Sequence, residues 1–222
     1  MSSSTTACLA LRLEGPLQSW GFEDRFSRRK TGLLPTKSGI LGLCCAAVGA
    51  ARGSEREREW LARLNALHCL LIAIPHYDLT IRRMEDYHTV QNTRTADGKT
   101  KETHLTQRTY LNDAGFAALL SGDRDTLIEL AAAVQDPVWG VWLGRKACIP
   151  SAPVFHSLHE TEASALRVIL GDIPLTAFTR QRDAADFAGG TDTLHDSPIT
   201  FRDPRQFTSR RVSLRRAGEP ED

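Results

Sequence analysis

The sequence predicts an α+β fold of the ferredoxin-like type, with a polar two-stranded arm inserted into it. Three observations carry that prediction. The elements follow the order strand, helix, strand and then strand, helix, strand, which is the split βαβ pattern. Between the two halves lies a threonine-rich stretch with an Asp97-Gly98 turn signal and no apolar face. Finally, 41% of the 222 residues are hydrophobic. A chain of this size buries roughly 70–75% of its unfolded surface, so one domain with a full core is expected.

Taken in order, TACLALRL (6–13) alternates, with Ala7, Leu9, Leu11 and Leu13 on one face, and reads as the first strand. Residues 14–36 are rich in Gly, Pro, Ser and charge and read as loop. From Ser38 to Ala51 the apolar positions Ile40, Leu43, Cys44, Ala47 and Val48 recur at helical spacing, with Gly49 and Gly53 closing the helix. SEREREWLARL (54–64) alternates charges and reads as a solvated helix or its approach. HCLLIAIP (68–75) is a continuous apolar run ending in proline, hence a buried strand. AGFAALLSG (114–122) fits a strand, though its spacing also allows a helix. DTLIELAAAV (125–134) reads as a second helix with Asp125 near its start. VWGVWLG (138–144) is apolar and glycine-broken, LRVILGD (166–172) reads as a late strand, and 181–198 reads as loop.

Composition removes several function classes. The net charge is +1 with 25% charged residues, so the chain is not basic as a whole, although local basic patches are allowed. The cysteines, Cys8, Cys44, Cys45, Cys69 and Cys148, are odd in number and form no C-x-x-C. They fit neither a disulfide framework nor a zinc site, and read as small buried hydrophobes in a reduced cytosol. No signal peptide and no membrane-length apolar run is visible. TGLLPTKSG (31–39) nearly spells a phosphate-gripping P-loop, but Thr36 replaces the second glycine and no buried strand precedes it. What survives is a helix start near Ser38, whose free N–H groups and partial positive charge favour an anion, with Lys37 adding a full charge. An ordinary capped helix with an exposed lysine reads equally well. SRRKTG (27–32) overlaps two β-lactamase-type elements that must come from distant parts of a chain, so the match is chance. HSLHE (156–160) lacks the further ligands a metal site needs.

Residues 79–110 are the most informative. Arg82, Arg83, Arg94, Lys99, Lys101 and Arg108 supply cations, and Tyr87, His88, His104 and Tyr110 offer planar rings. A hairpin without an apolar face is marginal alone, so it is expected to project and to be steadied by a partner. Cations interleaved with rings suit a single-stranded nucleic acid, because phosphates meet charge and splayed bases meet rings. A solvated, mobile hairpin is the alternative. A second basic run at 200–216 contains Arg202, Arg205, Arg210, Arg211, Arg215 and Arg216, with Phe201 and Phe207 as anchors; Arg215 and Arg216 read as a frayed tail. Arg145 and Lys146 follow Gly144, where backbone could approach a ligand closely.

Five blocks resemble the CasD family: LRLEGPLQSWG (11–21), PTKSGILGL (35–43), DYHTV (86–90), THLTQRTYL (103–111) with LGRKACIPSAPVF (143–155), and RDPRQFTSR (202–210). That family supplies the RAMP-type subunit of the CRISPR Cascade complex that holds the 5′ end of the guide RNA. The resemblance implies a single RAMP-type domain with an RRM-related, ferredoxin-like core (5–78 and 111–150), a projecting thumb hairpin (79–110), and a small C-terminal β-rich part with a basic tail (151–222). It implies a cytoplasmic, non-catalytic subunit for antiviral defence that holds and kinks the crRNA 5′ handle. Its partners would be the backbone and large subunits of Cascade, with target DNA met indirectly and no membrane, cofactor or metal. The matching blocks, together with the cations of the arm, nominate Gln18, Trp20, Lys37, Ser38, Tyr87, His88, Arg94, Lys101, His104, Gln107, Arg108, Tyr110, Arg145, Lys146, Gln206 and Arg210 as RNA contacts. Some relatives of this subunit cut repeat RNA without metal. Tyr87, His88, Lys101 and His104 have the residue types for such general acid–base work, so a metal-independent endoribonuclease is the alternative.

Overall fold

The computed structural model describes residues 5–21, 27–75, 82–95 and 97–220. Its strands are β1 (Thr6–Gln18), β2 (Arg28–Arg29), β3 (His68–Ile74), β4 (Arg82–Arg94), β5 (Thr100–Asp123), β6 (Phe155–His159), β7 (Arg180–Asp183), β8 (Asp192–Thr200) and β9 (Gln206–Arg215). Its helices are α1 (Lys37–Ala47), α2 (Glu55–Asn65), α3 (Arg124–Gln135) and α4 (Glu162–Leu170). The strands form one mixed α/β assembly dominated by an antiparallel sheet, in the order β6-β1-β5-β3-β7-β9-β8, with β2 and β4 also paired to β5.

Two crossover units interleave in this sheet. β1, α1 and α2 lead to β3, and β5 lies between the two strands, antiparallel to both. β5 and α3 lead to β6, and β1 lies between those two. The predicted order holds from β1 through α3, but the strand that closes the second unit is β6, where the sequence shows no strand pattern; 114–122 is strand rather than helix because it is flanked by β1 and β3 on both edges.

Both sheet faces are covered. Leu9, Leu11, Leu13, Leu71, Phe116 and Leu120 pack with Ile40, Leu64, Leu127 and Leu130 from α1–α3. Cys8, Leu70, Ile72, Ala117 and Leu119 point the other way, onto Ala165 and Leu170 of α4 and onto Phe178. Each buried Leu or Ile contributes about 1.5–3 kcal/mol relative to exposure. That two-sided burial explains why 68–75 shows no alternation.

Each of the four α-helices among the described residues begins on a side-chain cap. Thr36 accepts from the Gly39 N–H, Ser54 from Glu57, Asp123 from Thr126 and Thr161 from Ser164. The cap of α3 is thus Asp123, and Asp125 lies in the first turn. Residues 138–144 form no regular element; the Val138 and Trp139 N–H groups donate to Ala47 and Ala46 and close the end of α1.

Four expectations are corrected. Residues 166–172, read as a strand, belong mostly to α4: Ala165, Leu166, Ile169 and Leu170 recur at helical spacing and cover the second sheet face. A short apolar run fits either period, and tertiary burial decided it. Residues 181–198, read as loop, contain most of β7 and β8, whose inward residues are charged and paired across space. The loop read at 14–36 is shorter, since β1 continues against β5 to the Gln18–Leu111 pair. Arg215 ends β9 opposite Arg180 rather than lying in a frayed tail.

Candidate nucleic-acid interface

β5 is one strand doing two jobs. Its second half, from Gly115 to Ser121, sits between β1 and β3 in the core. Its first half pairs with β4 from Asn112 opposite Arg82 out to Thr100 opposite Arg94. Asp113, between the two halves, has φ 48, a left-handed backbone within the strand, as does Asn92 (φ 53) in β4. At the far end the Gly98 N–H donates to Thr95 O, and Thr95 and Lys99 close the turn at 2.9 Å. Gly98 has φ +81, which is what this turn requires of it. Among the described residues of 82–110, only Thr106 and Tyr110 are buried.

Strand alternation and this register divide the nominated arm residues between two faces. One face carries Tyr87, Lys101 and Gln107. Tyr87 is 63% exposed beside Leu105 at 49%, and the Gln107 amide donates to the Tyr87 hydroxyl at 3.3 Å. The other face carries His88, Arg94, His104, Arg108 and, at its root, Tyr110. Sequence reasoning treated these as one set; the pleat separates them.

The root of the arm is braced by groups the sequence partly concealed. β2 runs parallel along β5, Arg28 opposite Gln107 and Arg29 opposite Arg108. Arg145 donates to Thr109 O at 3.0 Å and Arg29 O at 2.9 Å, and its guanidinium lies 4.8 Å from the Tyr110 ring centroid. Arg145 therefore ties arm to core, while neighbouring Lys146 is exposed. Gly144 does approach backbone closely, but it is the chain's own: a Cβ there would sit 1.7 Å from Ser19 O. Arg28 and Arg29 were missed because they lie in a stretch without periodicity; their only signal was adjacent arginines.

The helix start expected to hold phosphate is occupied from within. The Lys37 N–H donates to Asp196 Oδ2 at 2.8 Å, so a carboxylate sits where an anion was anticipated. The Lys37 side chain, 5% exposed, turns inward and donates to Asp183 at 2.8 Å and to Leu67 O at 3.1 Å. Arg210 grips Asp196 with Nε at 2.7 Å and Nη2 at 3.0 Å, and also pairs with Asp183. Burial works against the Arg210 charge, but the hydrogen bond and charge of Asp196 and the charge of Asp183 outweigh it and raise its pKa above the usual guanidinium range. The nominations of Lys37 and Arg210 as phosphate contacts are corrected accordingly: two cations and two carboxylates neutralise each other and pin β7, β8 and β9 to α1 and β3.

Gln18 and Trp20 are corrected in the same way. Both are fully buried. The Gln18 amide donates to Leu13 O and Ala114 O, and its Oε1 accepts from Trp20 Nε1 at 3.0 Å. They stitch the end of β1 to Ala114 of β5. Ser38 is half-buried and donates to Thr36 Oγ1. Gln206 is exposed at the start of β9, far in the pairing order from the arm.

Burial also accounts for the cysteines, all five of which are free and buried. It pushes the thiols of Cys45 and Cys69 up to about 12, with Glu57 adding to the first and Asp183 to the second. Among the described residues no cluster of three or more His, Cys, Asp or Glu is placed to hold a metal. None of their helices is long and apolar enough to cross a membrane.

The family model described as CRISPR-associated protein (Cas_Cas5) matches residues 8–213. The chain is 33% identical over 210 residues to the CRISPR system Cascade subunit CasD of Escherichia coli (strain K12), spanning 91% of this chain and 92% of that one. It superposes on a chain of a CRISPR RNA-guided surveillance complex with a TM-score of 0.74 at 25% identity, covering 93% of this chain and 88% of the other. A crystal structure of a Cas protein matches with a TM-score of 0.67 at 28% identity, over 97% and 98% of the two chains.

Proposed function

The chain belongs to the CRISPR-associated Cas5 family, and from that premise we propose that it is a non-catalytic, RNA-binding subunit of a Cascade-type surveillance complex. It holds the 5′ handle of crRNA and kinks it with the β4–β5 ribbon, which acts as a thumb. The four-stranded part β6-β1-β5-β3 with its two interleaved crossover units is read as the ferredoxin-like, RAMP-type core. Its partners are the crRNA, the backbone and large subunits and, through them, target DNA, in the cytoplasm.

The observation that carries this reading is the arm itself. Thirteen residues on each strand leave the core with cations and rings outward and few of them buried, so the chain keeps exposed a ribbon that does not stabilise its own fold. Arg94, Lys101 and Arg108 meet phosphate, Tyr87 stacks against an unpaired base, and Lys146 adds charge beside the root. Lys37, Arg210, Gln18 and Trp20 serve the binding surface by holding the scaffold.

The test is binding of labelled repeat RNA by the purified chain in EDTA at varied salt. Binding should weaken linearly with the logarithm of salt. Lys101→Ala and Arg108→Gln should each lower the salt slope by about one unit. Tyr87→Ala should cost about 1–3 kcal/mol with the slope unchanged. A discrete cleavage product, lost in a His88/His104 double variant, would replace this reading with the endoribonuclease one. Subunit binding without RNA binding would leave only a scaffold.

A further inference from the structure

We propose that His88 and His104 form a proton-linked phosphodiester subsite on one face of the arm, so that the grip on RNA tightens as pH falls. The proposal rests on the RNA-binding reading above and adds its regulation.

The register supplies the geometry. His88 lies opposite Thr106 and His104 opposite Val90, which makes the two histidines diagonal neighbours on the same face of the β4–β5 ribbon. His88 is exposed and His104 half-buried. Between them, the buried Thr106 hydroxyl donates to His88 O at 3.1 Å and accepts from Arg108 Nε at 3.2 Å. This holds the Arg108 guanidinium beside the pair. Arg29 of β2 lies across from Arg108. The face is therefore an imidazole pair continued by the guanidinium of Arg108, which lies opposite Asp86, and by that of Arg29.

Chemistry then sets the proton dependence. A neutral imidazole offers one N–H and no charge, whereas an imidazolium offers two donors and a full charge. Imidazoles change state near about pH 6.5. The charged groups on this face are Arg29, Arg108 and, toward the tip, Arg94, with Asp86 opposite Arg108 and two residues before His88, and Glu102 two residues before His104; Arg145 braces the root. When both are protonated, the two imidazolium charges repel each other. A phosphodiester laid along the face tips this balance toward the charged forms. Binding then takes up protons: pKa in the bound state lies above that in the free state. Affinity is low above the bound-state value, rises as pH falls through the window, and levels off below the free-state value. A rise of one unit per histidine is about tenfold in affinity for each.

The experiment uses the full chain and a labelled oligouridylate, whose bases carry no proton change across the range, with anisotropy read from about pH 8 to pH 5.5 at constant ionic strength. The expected result is binding about tenfold tighter or more at the acid end. His88→Gln/His104→Gln should lose this response, and Arg108→Gln should bind more weakly at every pH while keeping it. In the wild-type chain, the His88 and His104 ring resonances should show their titration moving upward on adding RNA, a readout that needs no variant to fold. Salt-sensitive binding with a flat pH profile, or a pH profile unchanged in the double variant, overturns the subsite and leaves the RNA-binding reading intact. Absence of salt-sensitive binding at every pH overturns both.

Discussion

Replacing Arg210 by methionine tests whether a cation nominated as an RNA contact belongs instead to the scaffold. The guanidinium is 9% exposed and holds Asp196 through two contacts and Asp183 through a third. In Arg210→Met, Asp196 keeps only the Lys37 N–H and Asp183 keeps only Lys37 and the Cys69 N–H. Removing one partner from a buried ion pair costs about 3–5 kcal/mol. For a chain of this length each kcal/mol moves the melting temperature by about 2–4 °C, so a fall of about 6–20 °C is expected. Lys37→Met should cost less, about 1–3 kcal/mol, because Asp183 then keeps Arg210 and Asp196 keeps the backbone donor. The double variant should be non-additive by about 0.5–3 kcal/mol, since both cations share Asp183. Urea denaturation followed by circular dichroism gives all three values. The salt slope of RNA binding, measured well below each melting temperature, should stay as in the wild type. The reasoning fails if Arg210→Met loses less than about 1 kcal/mol. It fails equally if Lys37→Met keeps its melting temperature while its salt slope falls by about one unit.

Three further outcomes are expected. Gly144→Ala places a Cβ 1.7 Å from Ser19 O at φ +98, so the variant should lose about 3 kcal/mol or more; a melting curve within about 2 °C of wild type would contradict the close approach. The Asp123 carboxylate accepts from the Thr126 hydroxyl and N–H, which holds its pKa below the usual carboxylate range. A depressed folded-state pKa contributes stability above the unfolded value of about 3.9 and loses it as pH falls through the folded one. Asp123→Asn, which still caps α3, should therefore show a shallower loss of stability on acidification than wild type. The buried thiols, with Cys45 and Cys69 raised to about 12, should resist iodoacetamide at pH near 8 until urea unfolds the chain; fast labelling of either in the native state would refute their burial.

How far the sequence could be read depended on whether the signal was local. The alternation of Ala7, Leu9, Leu11 and Leu13 and the helical spacing of Ile40, Leu43, Cys44 and Ala47 report faces that a strand or helix must bury, so those elements were legible. The Asp97-Gly98 turn and its flanks were legible for the same reason: their paired strands and outward polar residues follow from chain-local chemistry. Near Lys37 the sequence showed a lysine at a helix start but not which anion would meet it. Asp196 lies 159 residues away in a stretch without apolar pattern, and its proximity is created by β8 pairing with β9.

The sequence by itself determined β1, α1, β3 and α3 and the existence of a cation-bearing hairpin, because each of these is settled within a few residues by periodicity or turn geometry. Only the tertiary structure decided which cations face solvent. Lys37 and Arg210 are neutralised inside by Asp183 and Asp196, whereas Lys101 and Arg108 remain on the ribbon. A charge is buried stably only where an opposite charge is brought to it, and which charges meet is fixed by strand pairing between distant parts of the chain.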